Sequence, residues 1–384
     1  MNLRFTDDEL RFRDACRAWL AANVPAEPLP SGDTREGFAR HLAWERRLFE
    51  GGWSAVSWPR AYGGREATLF EWLIFEEEYY LAEAPQRVTQ NGIFLLAPSI
   101  FEFGTAEQKE RFLRPMAAAE QTWAQAWSEP NAGSDLASVT SRGVRDGGGG
   151  GWRLTGQKTW STRAAFCDMA YGLFRTDPNE SRHRGLTYFL FPLDAPGVTV
   201  RGVDRLDGDE GFAEVFLDDV FVDDALVLGE VGRGWEVAMA TTGSERGLSL
   251  RSPGRFMATA QRLVELVRAR GTDEVDRLAV AQAWVEAEAY RWYTFGSVTR
   301  MLMGRDFGSE SSMNKVFWSE MDVRAHETAL RILGTDGESV GDGGSERTNW
   351  MKGFQFALAG PIYAGTNEIQ RNVVAQRVLG LPRK

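Results

Sequence analysis

Cysteine and histidine are scarce in this chain. The two cysteines, Cys16 and Cys167, are far apart and in no metal-ligand spacing, which excludes a disulfide framework and a zinc site as organising features. The three histidines, His41, His183 and His326, are scattered along the sequence. Because the histidines are not clustered, nothing in their pattern indicates a hydrolase triad or a metal hydrolase. We expect no metal centre.

Positive charge is also in deficit, because 44 lysines and arginines face 54 aspartates and glutamates, a formal net charge of −10. That balance disfavours a nucleic-acid-binding surface, which needs clustered positive charge. No apolar run approaches the roughly 20 residues of a membrane-spanning helix. The first residues lack the basic segment and apolar stretch of a secretory signal. We therefore expect a cytoplasmic protein that binds neither nucleic acid nor membrane.

The chain does contain enough apolar sequence for two or three domains, since 43% of its 384 residues are hydrophobic. Residues 1–119 show helical periodicity, and residues 237–384 return to it. Between them, residues 120–236 contain short runs rich in β-branched and aromatic residues, bounded by glycine, proline and aspartate. This order predicts an α+β protein with an N-terminal helical domain, a middle antiparallel β-domain and a C-terminal helical domain.

Local signals refine this division. Thr6, with Glu9 three residues later, is a capping-box signature at the start of a helix. Asp146 and the glycine run at 147–151 predict a hairpin tip, and no helix start or lysine directly follows them as a phosphate-binding loop would require. The other predicted helical segments are about 34–51, 66–83, 87–103, 105–118, 235–270, 273–303, 311–333 and 366–378.

Three segments carry a resemblance to the acyl-CoA dehydrogenase family that covers almost the whole chain. Residues 127–136 read WSEPNAGSDL, similar to the family's T-E-P-x-A-G-S-D, and residues 154–162 read LTGQKTWST, similar to L-N-G-x-K-x-W-I-T/S. The third segment, residues 362–372, reads IYAGTNEIQRN and is followed by RVLGLP. The resemblance implies the family fold of a helical domain, a β-domain and a C-terminal four-helix bundle.

The resemblance also implies bound FAD and desaturation of an acyl thioester between its α and β carbons. A flavin ring needs hydrogen bonds along its pyrimidine edge and at N5, and a helix N-terminus suits a pyrophosphate. The implied cofactor contacts are Gln125, Trp127 and Ser128 at the edge, Trp160 and Thr162 near N5, Gly365 and Thr366 at the pyrophosphate, and Glu368 at the cofactor or the helix cap. Ser134 would contact the CoA side of the thioester or the flavin phosphates.

Four of these assignments have a purely structural alternative. Ser128 and Thr162 could serve only to satisfy hydrogen bonds of the local backbone, and Trp160 could be a core tryptophan. Thr366 could be a plain helix N-cap, a role that is compatible with cofactor binding.

The catalytic base is where the chain departs from the commonest family pattern. Many members carry glutamate directly before the final Gly-Thr, where this chain has Ala364. A methyl group cannot accept a proton, so another carboxylate must do so. The resemblance to isovaleryl-CoA-type members implies that Glu245 is the base and that the adjacent Arg246 lies at the substrate. The backbone N–H of Ala364 would still polarise the thioester carbonyl, and Glu368 is a competing candidate for the base.

A second departure concerns the neighbouring subunit. Symmetrical family tetramers carry Arg-x-x-Phe-Gly after the first long C-terminal helix, for the adenine end of a neighbour's FAD, and this chain lacks it. Asp273, Glu274 and Asp276 place negative charge in that region, and Arg331 replaces the glutamine of a later Gln-Ile-Leu-Gly. The resemblance to heteromeric bacterial steroid-side-chain dehydrogenases therefore implies a heterotetramer with a paralogous subunit. The alternative is a homotetramer that uses Arg331 or two further arginines, Arg268 and Arg270.

The leading hypothesis is thus an FAD-dependent acyl-CoA or carrier-protein thioester dehydrogenase, with an electron-transfer flavoprotein as the implied acceptor. A flavin monooxygenase or oxidase of the same fold is one alternative, against which Glu245 and the intact Gly-Thr-x-Glu-Ile-Gln weigh. A non-catalytic subunit that only completes a partner's site is the other.

Overall fold

The computed structural model of the chain describes residues 4–246, 252–271, 273–305, 308–338 and 349–382, and the side chains of 243–246 lie outside the description. Helices form the first part of the chain: α1 (Asp7–Asn23), α2 (Arg35–Glu50), α3 (Leu69–Leu81), α4 (Ala97–Phe103) and α5 (Ala106–Ala117). A turn of π-helix, Asn91–Leu96, leads directly into α4.

Threonine caps set the starts of these helices. The predicted box at Thr6 and Glu9 is confirmed, with the Thr6 side chain accepting from Glu9 N–H and the Glu9 carboxylate accepting from Thr6 N–H. The same reciprocal box begins α3 at Thr68 and α5 at Thr105. Each box satisfies two of the N–H groups that a helix start leaves without an intrahelical partner.

One sheet of eight strands occupies the middle of the chain. The strands are β1 (Trp123–Gln125), β2 (Arg142–Arg145), β3 (Gly151–Lys158), β4 (Met169–Arg175), β5 (Leu186–Pro192), β6 (Val198–Val203), β7 (Phe212–Asp223) and β8 (Val227–Leu228). Their order is β6-β7-β3-β2-β4-β5-β8, with β1 paired to β4. The sheet is antiparallel as predicted except for two pairs, β1–β4 and β2–β4, which are parallel.

The glycine run is the tip of the β2–β3 hairpin, as predicted. On its other side β3 pairs with the long strand β7. β4 and β5 are almost wholly buried along their lengths, so the centre of the sheet is covered on both faces. The helices α4 and α5 pack against this sheet in one continuous hydrophobic core.

The C-terminal helices are α6 (Gly234–Arg246), α7 (Pro253–Arg270), α8 (Glu274–Leu302), α9 (Ser311–Leu333), α10 (Trp350–Ala357) and α11 (Asn367–Val373). α7, α8 and α9 pack against one another, and α10 and α11 pack on α9. The predicted single helix over 235–270 is wrong, because Ser252 caps a new helix with Pro253 at its first position. The short helix α10 was not predicted.

The α+β fold class and the order of helices, sheet and helices are confirmed. α6 packs on β5 and on α4, so this helix touches both the sheet and the N-terminal helices. No helix within the described ranges is long and apolar enough to span a membrane. Within the same ranges no group of three or more histidine, cysteine or carboxylate side chains is arranged to hold a metal ion.

Candidate active site

The first two sequence motifs meet in space through a buried ion pair. Lys158, the last residue of β3, donates from Nζ to Glu129 Oε1 at 2.8 Å and to the carbonyl of Leu173 at 2.7 Å. The Lys158 side chain is fully buried and that of Glu129 is 5% exposed. One residue further along, Thr159 N–H donates to the carbonyl of Ser128 at 2.8 Å. The strand end of one motif is therefore fixed to the loop of the other.

The Glu129 carboxylate is satisfied on both oxygens. Oε1 also accepts from Ser141 N–H at 2.9 Å, and Oε2 accepts from the N–H and hydroxyl of Thr140 at 2.7 and 2.8 Å. Burial acts to raise the pKa of Glu129, but the Lys158 ammonium and these hydrogen bonds outweigh it and hold the pKa at about 2. Burial lowers the pKa of Lys158, and Glu129 opposes that change. Glu129 is therefore a carboxylate at neutral pH, and both side chains are almost completely buried.

Gly156 makes this close approach possible. It lies in β3 where the pairing with β7 shifts register, and its φ is +153°. A Cβ at this position would lie 2.1 Å from Ser141 Oγ, inside van der Waals contact. A side chain there would push Ser141 away from Glu129, which explains why the second motif requires glycine before its lysine.

The residues predicted for the flavin edge lie around the end of β1. Gln125 is its last residue and pairs with Tyr171 of β4. Trp127 is only 7% exposed and packs edge-on against Tyr188, with ring centroids 6.2 Å apart. Among the described residues no acceptor lies within hydrogen-bonding distance of Trp127 Nε1, although this atom is buried. A buried donor left free in this way fits a ligand that brings an acceptor.

The N5 candidates follow β3. Trp160 has a left-handed φ of +57°, and its side chain is 61% exposed, which excludes the alternative of a core tryptophan. Its ring packs edge-on against Phe212, with 5.7 Å between the ring centroids. The carbonyl of Thr162, two residues on, accepts from Asn91 Nδ2 at 3.4 Å. A large flat side chain is thus held at the surface beside a half-buried threonine, an arrangement that fits a flat ring such as flavin.

Asn91 belongs to a segment that a second buried carboxylate positions. Glu45 accepts from Val88 N–H at 2.5 Å and Thr89 N–H at 3.0 Å, and from Arg87 Nε at 2.9 Å. The backbone that enters the π-helical turn is therefore fixed from α2. Asn91 also accepts, through its carbonyl, a hydrogen bond of 3.2 Å from the Tyr171 hydroxyl.

The third motif forms a left-handed turn before α11. Ala364 and Gly365 have φ values of +56° and +78°, and Gln370 Nε2 donates to the Ala364 carbonyl at 2.8 Å. A Cβ at Gly365 would lie 2.5 Å from that same amide nitrogen. Thr366 is the N-cap of α11, because its side chain accepts from Ile369 N–H. The N-cap alternative for Thr366 is therefore confirmed, and it leaves a cofactor role open.

Neighbouring polar groups fix α11 on α9. Asn367 Oδ1 accepts from the buried Lys315 Nζ at 2.9 Å and from Ser319 Oγ at 3.1 Å. Hydrogen bonds from its own backbone N–H and from the Thr366 hydroxyl lower the pKa of the exposed Glu368 carboxyl. Glu368 is thus engaged with the start of the helix. Within the described part of the chain, no hydrogen bond or ion pair joins the Ala364–Thr366 turn directly to the first two motifs.

The proposed base lies on α6. The backbone of Glu245 and Arg246 forms the end of this helix, and both side chains lie outside the described residues. One turn earlier Thr241 is fully buried, and its Oγ1 is 3.3 Å from the Tyr188 hydroxyl. Tyr188 in turn contacts Trp127. The helix that carries Glu245 is therefore in contact, through one tyrosine, with the predicted flavin edge. Ser134 is exposed in its loop, and the next residue, Asp135, accepts from Arg182 at 3.0 Å.

Sequence reasoning quoted Glu129 and Lys158 inside the motifs but gave them no role, and it missed Asn91 and Tyr188. The first motif contains two acidic residues, Glu129 and Asp135, and the second contains one basic residue, Lys158, so opposite charges were visible in the sequence but the pairing was not. Asn91 and Tyr188 carry no comparable signal, because a single amide in a helix and a tyrosine in an apolar strand are ordinary.

The arginines considered for a neighbour's FAD are mostly engaged within the chain. Arg331 Nε donates to Asp276 at 2.7 Å, and Arg270 pairs with Asp336 at 2.7 Å. Arg268, in the last turn of α7, is exposed. Two of the three candidates thus already have carboxylate partners.

Comparison with known proteins covers all three parts of the fold. Residues 6–120 match the acyl-CoA dehydrogenase N-terminal domain, residues 124–220 the middle domain and residues 232–379 the C-terminal domain. The chain is 37% identical to acyl-CoA dehydrogenase IpdE1 of Mycolicibacterium smegmatis, over 97% of this chain and 98% of that protein. It is also 37% identical to IpdE1 of Mycobacterium tuberculosis, over 98% and 99% of the two chains.

Two solved structures share this fold over their full length. One is the steroid ACAD Tcur3481-Tcur3483, with 25% identity, a TM-score of 0.89 and 100% coverage of both chains. The other is the ChsE4-ChsE5 complex from Mycobacterium tuberculosis, with 27% identity, a TM-score of 0.85 and 100% coverage of both chains. The chain belongs to the acyl-CoA dehydrogenase family and is an FAD-dependent oxidoreductase of that family.

Proposed function

We propose that the enzyme desaturates an acyl-CoA thioester between its α and β carbons, with Glu245 as the base that removes the α-proton. The observation that carries this proposal is the contact from Trp127 through Tyr188 to Thr241, which brings the helix of Glu245 to the flavin edge. Position 364, where many members have their base, holds a methyl group. Glu245 is the carboxylate that the family's second arrangement supplies.

The α-proton goes to Glu245, and the carbon–carbon double bond forms as the β-hydrogen leaves with two electrons. FAD, when bound, would supply the acceptor for that hydrogen and its two electrons. The backbone N–H of Ala364 donates to the thioester carbonyl and stabilises the negative charge that develops there. The peptide at Ala364 is held by Gln370, which donates to its carbonyl at 2.8 Å. Arg246 lies beside the base at the substrate.

The cofactor contacts are proposed as follows. Gln125, Trp127 and Ser128 hold the pyrimidine edge, and Trp160 and Thr162 lie at N5. Ser134 contacts the CoA side of the thioester or the flavin phosphates. Gly365 and Thr366 hold the pyrophosphate, and Glu368 contacts the cofactor or the helix cap. The free Trp127 Nε1 and the exposed Trp160 ring support the edge and N5 assignments. The left-handed turn at Ala364 and Gly365 supports the pyrophosphate assignment.

The test is Glu245→Gln, which removes the proton acceptor and keeps the size of the side chain. FAD-loaded protein is mixed anaerobically with octanoyl-CoA, isovaleryl-CoA and a steroid-side-chain CoA thioester, and bleaching of the flavin is followed. Because a positioned base typically contributes 10²–10⁴-fold, we expect flavin reduction to slow by about that factor. FAD content should be unchanged.

Two matched variants interpret this result. Glu236→Gln changes a glutamate of the same helix that is exposed and pairs with Arg233 at 2.7 Å, and it should reduce like the wild type. Glu368→Gln changes the competing candidate. If Glu368→Gln abolished reduction and Glu245→Gln did not, the base assignment would be wrong. An oxidase or monooxygenase activity would replace the proposal on two observations together. No thioester would reduce the wild-type flavin, and the reduced flavin of this protein would react readily with oxygen.

We also propose that the working enzyme is a heterotetramer with a paralogous subunit, and that an electron-transfer flavoprotein is its electron acceptor. Support for the partner comes from the two solved structures, whose names each join two different chains. Within this chain, Arg331 is paired with Asp276 and Arg270 with Asp336. In a homotetramer these arginines are candidates for binding a neighbour's FAD. The alternative is a homotetramer.

The native mass and the FAD-to-chain ratio of the protein purified alone test the partner. For the protein purified alone we expect less than one FAD per chain. After co-expression with a paralogous dehydrogenase subunit we expect every FAD site of the complex to be filled. One FAD per chain in a stable tetramer of this chain alone would contradict the proposal. If substrate reduces the flavin of the mixed complex and the catalytic residues all come from the partner, the non-catalytic alternative for this chain is supported instead.

A further inference from the structure

Three hydroxyl groups from the three parts of the fold meet at one buried point. They belong to Ser99 of α4, Tyr188 of β5 and Thr241 of α6, and all three residues are fully buried. Thr241 Oγ1 lies 2.7 Å from Ser99 Oγ and 3.3 Å from the Tyr188 hydroxyl oxygen. We call this group the hydroxyl cluster. Thr241 is the member that the other two share.

One arrangement of hydrogens satisfies Thr241 completely. Its hydroxyl donates to the carbonyl of Val237 at 2.9 Å, within its own helix. A hydroxyl has one donor and two acceptor positions, so Thr241 accepts from both Ser99 and Tyr188. Removing this oxygen takes away a buried acceptor that Ser99 and Tyr188 share, and losing hydrogen bonds in an apolar interior is unfavourable.

The hydroxyl cluster lies between the proposed flavin edge and the proposed base. On one side the Tyr188 ring stacks on Tyr171 at 6.0 Å between centroids and meets Trp127 edge-on at 6.2 Å. On the other side, Glu245 comes four residues after Thr241 along α6, and residues four apart lie on nearly the same face of a helix. The cluster therefore joins α6 to the sheet one turn before its catalytic end.

We propose that Thr241 is a positioning residue for the dehydrogenation. Its hydroxyl holds the last turns of α6 in fixed register against Tyr188, and thereby holds the helix that carries Glu245 against the flavin edge. The inference rests on the proposed function, because it assigns the base to Glu245. Thr241 itself touches neither substrate nor flavin in this scheme.

The neighbouring residue supplies a matched control. Thr242 Oγ1 donates to the carbonyl of Met239 at 2.9 Å and makes no hydrogen bond outside α6 among the described residues. Thr241→Val and Thr242→Val are the same chemical change in the same helix, each removing one hydroxyl and adding one methyl. They differ in whether the hydroxyl connects α6 to other elements. Thr241→Ser keeps the hydroxyl and removes only a methyl group.

The experiment compares wild type with these three variants, as FAD-loaded enzyme together with its partner subunit if one is required. Hydrogen exchange of peptides covering residues 237–246 reports the docking of α6 without substrate. Anaerobic flavin reduction by the most active of the three thioesters named above gives a limiting rate and a half-saturating concentration. FAD content and melting temperature check that each variant is folded.

In Thr241→Val we expect faster exchange at the end of α6 and a limiting rate lower by roughly 3–10-fold, the factor that corresponds to one or two net hydrogen bonds. The half-saturating concentration should stay the same, because substrate contacts are intact. Thr241→Ser should restore both values, and Thr242→Val should match the wild type.

Other outcomes overturn the inference in distinguishable ways. If Thr241→Val and Thr242→Val behave alike, Thr241 has no positioning role, while Glu245→Gln still decides the base. If Thr241→Ser loses as much as Thr241→Val, packing of the methyl group is responsible and not the hydroxyl. If the wild-type flavin is not reduced by any thioester, the proposed function fails and the inference fails with it.

Discussion

Two carboxylate–cation contacts of nearly equal length behave differently in this molecule. Lys158 lies 2.8 Å from Glu129, and Arg331 lies 2.7 Å from Asp276. The first pair is 0% and 5% exposed and joins two motifs at the candidate flavin site, whereas the second is 52% and 17% exposed and joins α9 to α8. Distance alone would rank them as equivalent.

Burial separates the two pairs. A buried charge left without its partner is strongly unfavourable, so the Lys158–Glu129 pair holds its surroundings in one arrangement. A half-exposed pair exchanges easily with water and contributes little. The loops of the candidate flavin site are thus fixed by a contact whose loss is strongly unfavourable, whereas Arg331 is held by a contact whose loss has only a small energetic effect.

The largest effect is expected from Lys158→Met. The substitution leaves Glu129 as a buried, unpaired carboxylate, and we expect it to reduce the free energy of unfolding by about 3–5 kcal/mol. Urea denaturation followed by circular dichroism measures this loss. The double variant Glu129→Gln with Lys158→Met should recover part of it, since no lone charge remains. A loss below about 1 kcal/mol would contradict the distinction between the two pairs.

The next effect is on acid stability. The pKa of Glu129 is lowered to about 2 in the folded protein from an ordinary 4.5, so its carboxylate stabilises the fold above pH 4.5, and that contribution disappears as the pH falls towards 2. The difference corresponds to at most about 3 kcal/mol. Urea denaturation at pH 6, 5, 4 and 3 should show a steeper loss for wild type than for Glu129→Gln. Equal slopes would place the acid sensitivity elsewhere.

The order of domains and most helix starts could be predicted because their signals are local. Thr6 and Glu9 form a capping box within three residues, and the glycine run marks a hairpin tip by composition. The Lys158–Glu129 pair could not be predicted, because its members are 29 residues apart and the β3 pairing that unites them is set by the whole sheet. The motifs predict that these residues belong to one site, but they do not predict which residues contact each other.

Short elements escaped for a related reason. α10 has eight residues and β1 has three, too few for periodicity to be read. The parallel pairing of β1 with β4 depends on the sheet around it. Trp160 has a left-handed backbone two residues after the end of β3, and neither this conformation nor its exposure carries a signal in the sequence. The break before Pro253 could have been predicted, because a proline inside a helical pattern indicates that one helix ends before it.

A smaller effect on stability is expected for Trp160→Ala. Since Trp160 is 61% exposed, the free energy of unfolding of the cofactor-free protein should change by about 1 kcal/mol or less. Retention of FAD should nevertheless fall, because the substitution removes a side chain that we propose to lie at flavin N5. Cofactor content after dialysis measures this. Trp127→Phe is the buried comparison and should lower stability more; the reverse order would contradict the assignment of Trp160 to the surface of the site.

The smallest effect is expected for Asp276→Asn, which frees Arg331 from its half-exposed partner. Stability should change by only about 0.2–1 kcal/mol, as for other surface pairs. The FAD-to-chain ratio of the protein purified alone should not rise, because Asp273 and Glu274 keep the start of α8 negative and Phe-Gly is still missing. A rise in bound FAD would show that Arg331 can serve a neighbouring copy of the same chain. The homotetramer would then replace the heterotetramer, and the exposed pair would matter for function in spite of its small energy.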